Sequence, residues 1–181
     1  MPNEDAIGRW ALAPAMAQPS RNSSTENILN PSRTFFVTTK TSMGRMLLQS
    51  ERNASLLIDV LRSLVVERRL QLHDFVIMPD HLHALITVGD EMTIEKTMQL
   101  IKGRFSYRLS HELGFAGEVW QRGFSEVQVM NRESCDAYCR YIAENPVKAG
   151  LAVSAEEFPF CFRFLAKRKA ETKMAGAEAP R

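Results

Sequence analysis

Two runs of strand-forming residues, Leu70–Met78 and His81–Val88, are separated only by Pro79-Asp80. A two-residue break of that composition leaves room for a tight turn and nothing else, so the two runs are expected to pair as an antiparallel hairpin. The flanking segments extend the pattern. Thr34-Phe35-Phe36-Val37-Thr38-Thr39 is β-branched and aromatic and reads as a strand. Between Leu47 and Arg69, apolar residues at 56, 57, 60, 61, 64 and 65 form the stripe of an amphipathic helix. Thr93, followed by Glu95 and Lys96, opens a second helix to about Leu113, and Gly114 and Gly117 mark a loop. Phe124–Met130 reads as a fourth strand. Asn131–Glu144 reads as a third helix, with Pro146 expected to stop it. The order β-α-β-β-α-β-α predicts an α+β fold: a ferredoxin-like split β-α-β antiparallel sheet with helices on one face and one helix added towards the C-terminus.

The 181 residues suit one domain with tails. Residues 1–30 interleave Pro2, Pro14 and Pro19 with small and polar residues and are expected to form a flexible arm. Residues 31–165 would be the domain, and 166–181 a flexible basic tail. From Arg163 to Arg181 six basic residues face only Glu171 and Glu178, which suits either a solubilising tail or one that attracts phosphate. The net charge of +2 does not by itself announce a nucleic-acid partner. No run approaches the roughly 20 apolar residues that span a bilayer, so no membrane partner is expected. Acidic Glu4 and Asp5 stand where a signal peptide would be basic. Three cysteines do not close a disulfide framework. Together these point to a reducing, cytoplasmic compartment.

Chemistry concentrates in a few places. In His81-Leu82-His83 the two imidazoles lie on one face of a strand, a bidentate start for a divalent cation, with Leu82 and Ala84 on the reverse. Asp80 is placed either to orient an imidazole or simply to make the turn. On the third helix Tyr141 and Asn145 are four residues apart, about 40° around the axis. A tyrosine is a competent nucleophile once its phenolate is assisted, and an amide oxygen suits a hard cation. Equally, Tyr141 could pack on the sheet and Asn145 cap the helix, and Tyr138 is a rival on spacing alone. Lys102, Arg104, Arg108 and Arg122, interleaved with Phe105, Trp120 and Phe124, suit a phosphate backbone and unstacked bases, or else a solvated face over core aromatics. Cys135 and Cys139 could join the histidines in a zinc-stabilised binding domain. However, Cys135 lies about 240° around the helix from Tyr141, so one ion cannot easily serve both sets.

Five blocks in order give these residues a context: Phe36-Val37-Thr38-Thr39, Met78-Pro79-Asp80-His81-Leu82-His83, Ile101-Lys102-Gly103-Arg104-Phe105, Val119-Trp120-Gln121-Arg122-Gly123-Phe124, and Tyr141-Ile142-Ala143-Glu144-Asn145-Pro146-Val147-Lys148-Ala149-Gly150-Leu151. Across roughly residues 33–165 the chain resembles the REP-associated tyrosine transposases, single-tyrosine members of the HUH (His, hydrophobic, His) superfamily. The resemblance implies Tyr141 as nucleophile, and His81, His83 and Asn145 as ligands to Mg²⁺ or Mn²⁺. It also implies a single-stranded DNA substrate carrying hairpin (REP, palindromic) elements, cleaved and rejoined through a 5′-phosphotyrosine. It favours Tyr141 over Tyr138, with Lys102, Arg104, Arg108 and Arg122 as candidate DNA contacts. The sequence departs from the family pattern at Ser125 and across Asn30-Pro31-Ser32-Arg33, positions where related enzymes touch DNA. A catalytically idle nucleic-acid binder of the same fold and the zinc-stabilised binding domain stay as alternatives, and no feature of the sequence sets monomer against homodimer.

Overall fold

The computed structural model describes residues 33–89 and 91–177. Four strands, β1 (Arg33–Lys40), β2 (Leu70–Met78), β3 (His81–Val88) and β4 (Ser125–Val129), form one sheet in the order β2-β3-β1-β4. Every neighbouring pair is antiparallel. The helices are α1 (Glu51–Val66), α2 (Ile94–Leu113), α3 (Arg132–Lys148) and α4 (Phe162–Ala177). The ferredoxin-like order expected from the sequence is therefore observed, with the β2–β3 hairpin turning at Pro79-Asp80. Residues 1–30, expected to be an arm, lie outside the described residues.

Period-two alternation divides the sheet between two cores. Phe35, Val37, Phe75, Ile77, Leu82, Ala84 and Ile86 point to one face and pack against Leu57, Leu61 and Leu64 of α1 and Met98, Ile101, Phe105 and Leu109 of α2. Phe36, Val76, Met78 and Leu85 point to the other, where Ile142 of α3 covers them. The helices therefore lie on both faces: α1 and α2 on one, α3 on the other. Thr93 caps α2 by accepting from Lys96 N–H, and Gly114, at φ 65, closes its C-terminus in the left-handed region. Asn131 caps α3 in the same way through Ser134 N–H.

Two expectations are corrected. Pro146 does not end α3, which continues to Lys148. The ring is buried, and beyond it Ala149 N–H donates to Asn145 O at 3.0 Å, so the last turn closes despite the missing proline N–H. Of residues 166–181, taken as a flexible basic tail, 178–181 lie outside the described residues, and those to 177 belong to a helix that runs from Phe162 to Ala177. Its charge obscured two facts: it is built of strong helix formers, and Leu165 packs into the core of the α1 side. Just before α4, Phe160 O accepts from Ile77 N–H at 2.9 Å, and Cys161 bridges Val76, which covers the outer edge of β2.

Phe105 is fully buried, with its ring 5.3 Å from that of Trp120, so α2 and the loop before β4 share one hydrophobic joint. Phe105→Ala is expected to lower the unfolding free energy by about 3–5 kcal/mol, measured by urea denaturation. A loss under about 1 kcal/mol would contradict this packing.

Candidate active site

The β1–β3 register sets Thr38 opposite His83 and Lys40 opposite His81. All four therefore occupy the sheet face that α3 covers. The two imidazoles stand side by side, centroids 4.6 Å apart, at the β3 end next to the hairpin turn. The turn is pinned from two directions: Thr41 N–H donates to Asp80 O and Leu48 N–H to Pro79 O, each at 2.8 Å.

Each imidazole has its Nδ1 engaged by an oxygen. His81 Nδ1 lies 2.6 Å from Asp80 Oδ1, and His83 Nδ1 lies 2.7 Å from Thr38 Oγ1. In both rings Nε2 has no hydrogen-bond partner among the described residues. Both are kept neutral. Burial pushes the His83 pKa down to about 3, with further lowering from His81 and Lys40. Burial also lowers that of His81, opposed by the Asp80 hydrogen bond and charge. Neutral rings with an open Nε2 are the donor form that a divalent metal requires.

Tyr141 comes down from α3 onto the same patch. Its ring centroid is 5.3 Å from that of His83, at 74° between planes. Tyr138 takes a different place. It stacks on Phe36 at 4.4 Å and 12°, while Phe36 in turn stacks on His83 at 5.4 Å and also meets the edge of Tyr141. Phe36 is thus the aromatic centre of the patch. Of the two tyrosines, Tyr141 is the one set against an imidazole, that of His83. Asn145, one turn on, donates its amide N–H to Tyr141 O at 2.9 Å, leaving Oδ1 as its open lone-pair atom. Among the described residues no hydrogen bond joins Asn145 to either imidazole. By donor chemistry the two neutral imidazoles suit a first-row divalent ion and the amide oxygen a hard one, so these residue types could together hold a divalent cation such as Mn²⁺.

A zinc centre is not assembled: among the described residues no group of three His, Cys, Asp or Glu side chains is arranged to hold a metal. Cys139 turns instead towards buried Asp74 on β2, and burial pushes its thiol up to about 12, with Asp74 and Cys135 adding to it.

The four basic candidates divide. Lys102, Arg104 and Arg108 stand on α2, against the opposite sheet face, and each has a partner within the protein. Lys102 Nζ donates to Gln121 O at 2.8 Å and to Gly123 O at 2.7 Å. Arg104 forms a two-pronged pair with Glu67 at 2.6 and 2.7 Å, and Arg108 bridges to Glu112. Arg122 differs. It is exposed, in a loop joined to the site end of β1, where Gln121 N–H donates to Lys40 O at 2.9 Å and Trp120 bridges Thr41. Lys102 therefore holds the Arg122 loop from behind. The exposed Lys40, beside His81 in register, is a cation that sequence reasoning missed. So is the hydroxyl of Thr38. Alternation alone assigns Phe36, Thr38 and Lys40 to one face, but only the cross-strand register sets them beside the histidines.

The family model described as "Transposase IS200 like" matches residues 36–145, well over half of the chain. A REP-associated tyrosine transposase of Escherichia coli (strain K12) is 26% identical over 96 residues, which are 52% of this chain and 54% of that protein. The match thus spans about half the length of the curated relative. A solved structure of a REP-associated tyrosine transposase bound to a REP hairpin superposes with a TM-score of 0.62 at 23% identity, covering 73% of this chain and 77% of that one. That likeness is one of fold.

Asp74 supplies a pH test of how α3 is seated. It is 5% exposed, where burial raises its pKa from 3.8 to about 6 against the lowering effects of Phe75 N–H, Arg163 and Cys139. The folded protein therefore holds a proton there that the unfolded chain has already lost, so this contribution is fully present below about pH 4 and is lost as pH rises through about 6. Asp74→Asn is expected to gain on the wild type by up to roughly 3 kcal/mol between pH 4 and pH 7, read from urea melts at each pH. A pH-independent difference would refute the assignment.

Proposed function

This chain belongs to the IS200-like transposase family, and from that premise we propose that it is a metal-dependent single-stranded DNA endonuclease and strand transferase. The observation that carries the reading is the Tyr141 ring, from α3, set 5.3 Å from that of His83, which itself stands 4.6 Å from His81 on β3. Its proposed substrate is single-stranded DNA carrying a hairpin, in keeping with the REP hairpin bound by the structural relative.

His81, His83 and Asn145 would hold Mg²⁺ or Mn²⁺, which would supply charge neutralisation at the scissile phosphate. The Tyr141 phenolic oxygen attacks phosphorus in line. The new bond is a 5′-phosphotyrosine, the bond broken is that to the 3′ oxygen, and that oxygen leaves as a 3′-hydroxyl with the proton the phenol gave up. Attack by another 3′-hydroxyl reverses the step and releases Tyr141, so the bond energy is conserved and no nucleotide cofactor is consumed. The sheet holds the imidazoles and the helix holds the phenol. Such pre-positioning contributes several kcal/mol, up to about 7–11 in favourable cases.

Lys40 and Arg122 are the proposed backbone contacts beside the reacting phosphate, since both are exposed at the site end of β1. Lys102 acts on the same contact indirectly, through the carbonyls of Gln121 and Gly123. Arg104 and Arg108, already paired, would contact DNA only on the α2 face.

The full chain is to be incubated with labelled single-stranded hairpin oligonucleotides and Mg²⁺ or Mn²⁺. A covalent protein–DNA band should form and map to Tyr141 by mass spectrometry. Tyr141→Phe should abolish it, by at least about 10³-fold in rate, while binding changes little. Tyr138→Phe should leave cleavage largely intact. An adduct lost only in Tyr138→Phe would overturn the nucleophile assignment. Binding with no cleavage by the unaltered chain would favour the idle binder.

A further inference from the structure

We propose that Thr38 is a positioning residue for His83: its hydroxyl accepts the Nδ1 hydrogen and so keeps Nε2 bare for the cation. The inference rests on the reading of His81, His83 and Asn145 as the metal-holding set. It concerns a residue of β1 that is neither ligand nor nucleophile.

Three observations carry it. Thr38 and His83 are directly opposed across the β1–β3 ladder, so their side chains emerge from the same face at the same level. The oxygen-to-nitrogen distance is 2.7 Å, and no other hydrogen bond to His83 Nδ1 is made among the described residues. Both side chains are shielded, at 8% and 4% exposure, so water competes poorly for that nitrogen. A neutral imidazole carries its hydrogen on one nitrogen only, and the partner of the first decides which lone pair is open at the second. The hydroxyl's hydrogen rotates about the Cβ–Oγ1 bond, and in the accepting arrangement it turns away from Nδ1; donation to Nδ1 instead would put the ring hydrogen on Nε2, which is the arrangement the NMR test below would detect.

The two histidines are oriented by different chemistry for a reason that lies in the fold. Asp80, on the partly exposed turn, serves His81 with a carboxylate. Position 38 lies inside the sheet, where a carboxylate would be buried at large desolvation cost. A hydroxyl can accept there without bringing a charge. Valine has the same shape and cannot accept, so Thr38→Val with His83 ligated through Nε2 would leave a buried Nδ1–H without a partner.

The test uses the full chain, with Mn²⁺ as probe. Thr38→Val should weaken Mn²⁺ binding by about 10–100-fold in titration calorimetry, and Thr38→Ser, which keeps the hydroxyl, should stay within about threefold of the wild type. In the metal-free proteins, ¹⁵N NMR of His83 should report hydrogen on Nδ1 for the wild type and Thr38→Ser, and a mixed or reversed tautomer for Thr38→Val. Unchanged tautomer and unchanged Mn²⁺ affinity in Thr38→Val would overturn the proposal. If the wild type takes up no Mn²⁺, the metal reading fails by itself. The proposal then stands or falls on the NMR arm, where a tautomer that is the same in all three proteins defeats it.

Discussion

The register between β1 and β3 is the constraint on which everything else in this molecule depends. With side chains alternating between faces, a slip of one residue would carry His81 and His83 into the core beneath α1 and α2 and turn Leu82 and Ala84 out towards α3. The apolar demand of that core forbids the slip, because Leu82, Ala84 and Ile86 are all fully buried there. The chemistry is thus held in place by residues that take no part in it. The same ladder sets Thr38 against His83 and Lys40 against His81, so one pairing orders a ring nitrogen, a hydroxyl and a cation at once.

On this platform α3 selects between two tyrosines three residues apart. Both rings reach the sheet, yet they meet different partners, because three residues advance about 300° around a helix rather than a full turn. Tyr138 spends its ring on Phe36, while Tyr141 meets His83. Phe36 touches all three rings and fixes how close α3 can approach. The seat of α3 is also set by Ile142, which lies between the two tyrosines and the amide and fills the apolar patch of Phe36, Val76 and Leu85. Removing bulk at either place would move the phenol relative to the imidazoles without changing either group itself.

Much of this was legible in the residues. The hairpin, the alternation of strands and helices, and the common face of His81 and His83 follow from local periodicity, which the structure obeys. Tyr141 and Asn145 were legible as a pair on one helix face, but spacing left Tyr138 equal to Tyr141, since helix geometry does not say which face the sheet will meet. Thr38 and Lys40 were invisible as site residues because cross-strand register depends on the whole sheet. Lys102, Arg104 and Arg108 read as candidate DNA contacts or as a solvated face, since a sequence does not show that the carbonyls of Gln121 and Gly123, or Glu67, lie within reach. Only Arg108, with Glu112 four residues on, carried a local sign of its pairing. The helix from Phe162 to Ala177 was missed because a run of basic charge drew more weight than its helix-forming residues.

The division of the basic residues bears on how a polyanion would approach. Arg104 and Arg108 are neutralised locally by Glu67 and Glu112, so the α1–α2 face offers less attraction than its composition suggests. At the site end of β1, Lys40 and Arg122 make no ion pair among the described residues and stand on segments tied together by the Gln121–Lys40 backbone bond. The field there is positive next to two neutral imidazoles, and Lys40 is itself one reason those imidazoles stay neutral. A phosphate drawn to that cation therefore arrives beside rings whose lone pairs have not been lost to protons. Gly123 completes the arrangement. Its φ of 71° is a backbone conformation that side-chain-bearing residues adopt at a cost, and it lets the loop turn so that its carbonyls face Lys102 while Arg122 remains exposed. The loop and the strand end thus work as one unit, held from the α2 side and presenting charge on the other.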